Sequence, residues 1–454
     1  MNAALLETRV ERVLSRYALL DARLVLALSG GIDSMVLLEV LAALARRHPL
    51  RLSALHVNHG ISPRSAQWAQ FCVERCAQYG LRCEVVHVRV ERAPGESLEA
   101  RARAMRYAAY QLQSCDALIL GHQLDDQVET LLLQLLRGAG VQGLAGMPAM
   151  RLLPGDERSG GVLLVRPLLD VARSAIVEFA LECALSWVED DSNAQSHFDR
   201  NYLRHEVLPQ IARRFPGYRQ TLARVRQNLA DASELLDEVA CADAAHAVND
   251  EGLSVDALRV LSPARARNLL RWFIVRQGVR LPARKHLEAG MAQLLEAGED
   301  REPRLQLEGG TLRRFAGRLH FVADLTPIPA DWRSVWRGEP ALVLPHHLGE
   351  IRFDADDGRG LSRAALKDGS VSVRVRRGGE RLRLSAAQPE RALKDVLREA
   401  RIPPWQRARL PLLFCDEALC WVPGIGGDFR WAARGGEPGV VPRWIPHGGD
   451  EPAE

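Results

Sequence analysis

The sequence predicts an α/β protein: a doubly wound parallel sheet, then a helical middle domain, then a smaller α+β C-terminal domain. Three observations carry that expectation. Apolar runs alternate with longer helical patterns from Leu24 to Arg137, and strands joined by crossover helices make a parallel sheet covered on both faces. The charge balance then switches, with eight acids (Asp231, Glu234, Asp237, Glu238, Asp243, Asp250, Glu251, Asp256) against the single Arg259 between Asp231 and Val260. The length of 454 residues allows about three domains at roughly 150 residues each.

Taken in order, Leu24 to Leu28 reads as a buried strand and Asp33 to Arg47 as a helix. RLSALHVNH from Arg51 is a strand, Pro63 to Tyr79 a helix, RCEVVHVRV from Arg82 a strand and Ser97 to Gln113 a helix. DALILGH from Asp116 and the helix Asp125 to Arg137 complete the series. Ligands of such a sheet sit beyond the carboxyl ends of its strands. A Pro/Gly/charge-rich stretch from Arg151 to Gly161 interrupts the pattern, after which RPLLDVARSAIVEFALE, from Arg166, reads as a helix. Residues 220–320 read as mainly helical, ending in short strands around LQLEGGTLRRFAGRLHFV. The expected division is 1–215, 216–325, a proline-punctuated linker 326–364, 365–445, and a tail 446–454 outside the folded part.

Sixty Lys+Arg against 57 Asp+Glu leave a formal charge of +3, and 47% of the residues are hydrophobic. An indiscriminate polycation and a disordered chain are thereby excluded. The first residues carry acids and arginines at helical spacing rather than a basic segment and an apolar core, and no run approaches the roughly 18 apolar residues of a membrane span. A cytoplasmic protein is expected. The eight cysteines contain no CxxC pair, so reduced structural thiols are expected.

The most informative residues are Ser29, Gly30, Gly31, Ile32, Asp33 and Ser34, which follow the first strand and open a helix. Two glycines let backbone N–H groups approach an anion, the helix N-terminus adds positive charge, and the two serines add hydroxyls. The segment reads as a pyrophosphate cradle. No GxxxxGK[ST] is present, because none of the three lysines (Lys285, Lys367, Lys394) follows a glycine. A GxGxxG at Gly138, Gly140 and Gly143 follows a helical run rather than a strand, so it reads as a flexible substrate loop.

SGGIDS after a strand resembles the SGGxDS loop of the ATP pyrophosphatase (PP-loop) family, with its adenine nucleotide alpha hydrolase-like sheet. GHQLDDQVET from Gly121 is similar to the GHxxDDxxET block of the tRNA(Ile)-lysidine synthetase branch. Further blocks resemble the same branch: RGAGVQGLAGM (Arg137), RPLL (Arg166), WVEDDSN (Trp187), RNYLRHEVLP (Arg200), RRGGERLRL (Arg376), RALKDVLREARIPPWQRARLPLLF (Arg391) and WVPGIGG (Trp421). The resemblance implies an enzyme that adenylates the 2-carbonyl oxygen of the wobble cytidine in a CAU-anticodon tRNA(Ile). L-lysine then displaces AMP to form lysidine. ATP and Mg2+ are the implied cofactors, with tRNA(Ile) and lysine as partners. A homodimer is carried as the expected oligomer.

That chemistry assigns roles. The loop residues would hold pyrophosphate, and magnesium would sit on Asp33 or Asp126. A lysine amine, of ordinary pKa about 10.4, must lose a proton before it attacks. Asp33, Asp126 and Glu129, with His122, are the catalytic candidates; Asp126 and Glu129 are three apart on one helix face. Helix capping is the plain alternative for Asp125 or Asp126. His56 and His59 are expected to be structural. Arg103, Arg106, Arg137, Arg200 and Arg204 are candidate substrate contacts near the first domain. In the last domain Arg376, Arg377 and Arg381 are candidate phosphate contacts and Trp405 a stacking surface. The competing readings are a 2-thiocytidine-type enzyme of the same family, disfavoured by the missing CxxC, and an inactive tRNA-binding protein, disfavoured by the intact loop.

Overall fold

A computed structural model describes residues 3–90, 98–153, 161–189, 199–298, 301–367 and 369–447. Much of the Arg151 to Gly161 stretch, the DDSN part of the Trp187 block, and the tail beyond His447 lie outside these residues. The chain forms two compact units, 1–236 and 237–454.

The first unit opens with α1 (Ala3–Arg16), β1 (Arg23–Ala27), α2 (Ile32–Ala45), β2 (Arg51–Asn58), α3 (Ser65–Gln78), β3 (Cys83–His87) and α4 (Leu98–Gln111). β4 (Ala117–Ile119), α5 (Leu124–Leu136), α6 (Val141–Leu144), β5 (Met150–Leu153), β6 (Val162–Val165) and α7 (Arg173–Glu182) follow. The sheet runs β3-β2-β1-β4-β6-β5. Every neighbouring pair is parallel except β5 with β6. Residues alternate between faces along each strand: Leu24 and Leu26 join the core with α2 and α7, while Val25 joins the core with Tyr110 of α4. α2 is buried nearly all round, consistent with its almost wholly apolar sequence.

The expected parallel sheet carries one antiparallel edge strand, because residues around the Pro/Gly-rich stretch form the hairpin strands β5 and β6; VLLV is too short and too uniformly apolar to declare its type. One expectation is corrected here. RPLLDVA is loop, and the helix begins only at Arg173 after Ala172 as N-cap. Pro167 disfavours helical backbone at Arg166.

Next come α8 (Asp199–Tyr202), a π-helical turn (Leu203–Val207), α9 (Leu208–Arg214) and α10 (Tyr218–Ala247). The second unit contains helices Pro263–Arg276 and Arg284–Glu296 with a five-stranded antiparallel sheet. That sheet takes in Val248–Asn249 and Gly252–Ser254, two short strands not foreseen from the sequence. A second five-stranded sheet, a four-stranded sheet and a two-stranded sheet also belong to the unit. Within residues 326–364, Arg333–Val335 pairs with Val371–Arg374 and Gly349–Ala355 pairs with Gly439–Ile445. Among the described residues no helix is long and apolar enough to cross a membrane.

Candidate active site

In the order β3-β2-β1-β4-β6 the strand direction of travel reverses between β1 and β4, which opens a crevice at their carboxyl ends. SGGIDS leaves β1 and GHQLDD leaves β4, so chain topology brings the two blocks together. Gly121 lies against the loop, and a Cβ added there would stand 3.3 Å from the Asp33 carbonyl carbon and the Ser34 nitrogen.

The loop is shaped from several sides. Gly30 takes φ +85°, open to glycine at little cost, and its carbonyl accepts from Val188 N–H at 2.9 Å. Buried His56 contacts the Leu28 carbonyl through Nδ1 at 2.9 Å, fixing the strand exit in a structural role. The serine hydroxyls are 3.1 Å apart; Ser34 Oγ donates to Gly31 O at 2.9 Å, and Gly31 N–H reaches Ser29 Oγ at 3.3 Å. Ile32 is buried beneath.

Asp33 and Asp126 lie close enough to interact electrostatically. Burial first, then the negative charge of Asp126, pushes the Asp33 carboxyl up to about 6, against the opposing charges of Arg173 and Arg204. Asp33 Oδ2 is 3.5 Å from Arg173 Nη1, and buried Oδ1 has no partner. Asp126 both caps and faces the site: Oδ2 accepts from Gln123 N–H at 3.0 Å, while Oδ1 accepts from Arg200 Nη2 at 3.0 Å. Asp125 is the structural member of the pair, accepting from Arg219 Nε at 2.5 Å and Arg173 N–H at 3.1 Å.

Glu129 is 1% exposed and fully engaged. Arg200 Nε donates to Oε2 at 2.6 Å, and Arg204 donates through Nε to Oε1 at 2.7 Å and through Nη2 to Oε2 at 3.0 Å. Arg204 lies on the π-helical turn, a rare form of helix that is frequent at functional sites. His122 ends the β4 segment as a neutral ring: burial, then the charges of Arg166, Arg200, Arg103 and Arg106, pushes it down to about 3. Arg106 Nε donates to His59 Nε2 at 3.3 Å, and Arg103 lies 4.9 Å from the Tyr107 ring centroid. Arg137 pairs instead with Asp199 at 3.2 Å. A cavity of about 590 Å³ opens at the ends of β2 and β3, lined by Asn58, His59, Ile61, His87 and Leu98 among others.

Three stretches match family models: the PP-loop domain at 4–211, the TilS substrate binding domain at 253–320 and the TilS substrate C-terminal domain at 371–444. Over 425 residues the chain is 43% identical to the tRNA(Ile)-lysidine synthase of Nitrosomonas europaea, covering 93% of this chain and 92% of that one. The chain belongs to the tRNA(Ile)-lysidine synthase family. The corresponding protein of Azoarcus sp. is 40% identical over 428 residues (94% and 92% covered), and that of Coxiella burnetii 38% over 414 (91% of each).

The remaining candidates of this lysidine synthase family chain lie in the second unit. Glu380 folds the Arg376–Arg381 loop back on itself, Oε1 accepting from Arg377 N–H at 2.5 Å and Gly378 N–H at 2.7 Å. Arg376 Nε lies 3.5 Å from Glu380 Oε2, and Arg381 pairs with Glu390 at 3.0 Å. Trp405 packs against Phe315 and His320, with the Arg313 guanidinium 5.7 Å from its ring centroid, so part of its stacking surface is already used. Sequence reasoning gave no specific role to Val188, Arg166, Arg173 or Arg219. The positions of Arg166 and Val188 inside quoted blocks, and of Arg173 inside RPLLDVARSAIVEFALE, offered a signal.

Proposed function

We propose that this chain modifies tRNA(Ile) bearing a CAU anticodon, joining L-lysine to C2 of the wobble cytidine at the expense of ATP. The observation that supports it most is the convergence of the SGGIDS loop with Asp33 and Asp126 at the β1/β4 crevice, in a chain colinear with lysidine synthases. In the first step the cytidine O2 attacks the α-phosphorus, and pyrophosphate leaves. Loop N–H groups, Ser29 and Ser34 receive its charge, and the cavity at the β2 and β3 ends takes the nucleoside. In the second step the lysine side-chain nitrogen bonds to C2 as the C2–O bond breaks, and AMP departs with that oxygen.

The ammonium proton goes to a carboxylate, and Asp33 is the best suited: its buried Oδ1 has no hydrogen-bond partner, and burial raises its pKa to about 6. His122 serves as a neutral hydrogen-bonding group. Glu129 holds Arg200 and Arg204 in place rather than exchanging protons. A magnesium ion, which prefers oxygen ligands and would offset phosphate charge, would be held by the neighbouring Asp126 carboxylate, which leaves the unpartnered Asp33 oxygen to the proton. Residues 1–215 do the chemistry in this reading, while 216–325 and 365–445, with 326–364 between them, hold the tRNA. A cytoplasmic homodimer completes the proposal.

The test incubates the purified chain with ATP, magnesium, labelled lysine and CAU-anticodon tRNA(Ile). Base-stable label on the tRNA, with AMP and pyrophosphate released, supports the proposal. Labelling that depends on a sulfur donor or glutamine sinks it.

A further inference from the structure

Arg166 stands just past the carboxyl end of β6 and is 3% exposed. Val165 pairs with Ile119 of β4, and Leu120 N–H donates to Val165 O at 2.9 Å. That ladder sets Arg166 beside the segment from Leu120 to His122, on the crevice rim. Its Nη1 donates to Pro148 O at 2.9 Å, while its buried Nε has no partner. The charged side chains around it are cations, Arg103 and Arg151, and the Tyr107 hydroxyl, a neutral group, accepts a hydrogen bond from it. Among the described residues it forms no ion pair with a carboxylate. Beside it, buried Nδ1 of His122 is likewise unpartnered.

Burying a guanidinium without a counter-ion is costly, and natural proteins offset such a charge with an anion. Burial lowers the Arg166 pKa, the direction expected for a cation held out of water. The fork geometry of arginine matches two phosphate oxygens at once. We propose that Arg166, flanked by His122 and Arg103, is a phosphate-binding residue of this site whose charge is balanced only when substrate is present. The inference rests on the ligase reading above. The phosphate comes either from ATP or from the backbone beside the wobble nucleotide.

The test uses the full chain with Arg166→Gln and Arg166→Lys. Calorimetry measures affinity for magnesium α,β-methylene-ATP, and filter binding measures affinity for CAU-anticodon tRNA(Ile) across a salt series. Loss of about tenfold or more in nucleotide affinity alone assigns the phosphate to ATP. The same loss for tRNA, with a salt slope shallower by about one, assigns it to the backbone. Both affinities within about twofold of the unsubstituted chain, with a lowered Tm, would reduce Arg166 to a tether for Pro148 and overturn the proposal. Should R166Q not fold, R166K decides by the same two affinities, since it keeps the charge and loses the fork. An unsubstituted chain that binds neither ligand overturns the ligase reading beneath the proposal, a different failure from unchanged variants.

Discussion

Arg204 grips Glu129 through both carboxylate oxygens, with Nε to Oε1 at 2.7 Å and Nη2 to Oε2 at 3.0 Å. Arg200 adds a third bond at 2.6 Å. A carboxylate so occupied and buried is the anchor of an arginine pair, and in the proposed reaction the proton is assigned to Asp33.

Removing that anchor leaves two partly buried guanidinium groups to share the single carboxylate of Asp126, at 3.0 Å from Arg200 and 3.6 Å from Arg204. Glu129→Ala is expected to cost about 3 kcal/mol of stability. Glu129→Gln keeps the shape and costs less, yet lowers kcat because Arg200 and Arg204 lose their fixed positions. Urea denaturation of both variants checks the first statement and lysidine formation the second; an Ala variant within about 0.5 kcal/mol of the parent would show that the clamp holds nothing.

Asp33 makes stability depend on pH in a definite direction. Its folded pKa of about 6 lies above the ordinary 3.8, so between about pH 4 and 6 the folded chain binds more protons than the unfolded one. Metal-free stability should therefore fall as pH rises through that window, by on the order of 3 kcal/mol. Asp33→Asn should remove this segment of the curve. Activity should run the opposite way, rising with pH as the carboxylate forms, with magnesium drawing the midpoint below the metal-free value of about 6. Denaturation in EDTA from pH 4 to 7 and a kcat profile test the two signs separately.

Gly121→Ala would push a methyl group to 3.3 Å from the backbone of Asp33 and Ser34. Backbone cannot yield as a side chain tip can, so a cost of about 1–3 kcal/mol and a weaker ATP Kd are expected. Nucleotide titration of the variant tests this, and unchanged ATP affinity would mean that the contact does not shape the loop.

Arg377 is exposed on the loop that Glu380 folds back. Arg377→Ala should weaken tRNA binding similarly for all sequences and reduce the salt slope by about one, leaving ATP affinity unchanged. Filter binding between low and physiological salt gives the slope; an unaltered slope removes Arg377 from the interface.

Much of the fold was legible because strands and helices of the first unit differ in period. β1, β2 and the helices α2 to α5 follow directly from apolar runs alternating with helical spacing. β5 and β6 escaped because four-residue apolar strands give no period to read, and their hairpin hides behind a Pro/Gly-rich segment. At the site, glycine and serine spacing marked the loop, and the acids of GHQLDDQVET marked its partner.

The sequence by itself determined the family, the nucleotide loop and the set of acids that accompany it, because local backbone requirements and residue chemistry are written in consecutive residues. Only the tertiary structure decided which partners each acid has. Asp125 is tied to Arg219, Glu129 to Arg200 and Arg204, and Asp33 is left with an unpartnered oxygen near Asp126. Those partners lie 71 to 94 positions away along the chain, and a carboxylate's protonation and availability depend on burial and neighbouring charge, which chain folding alone brings into place.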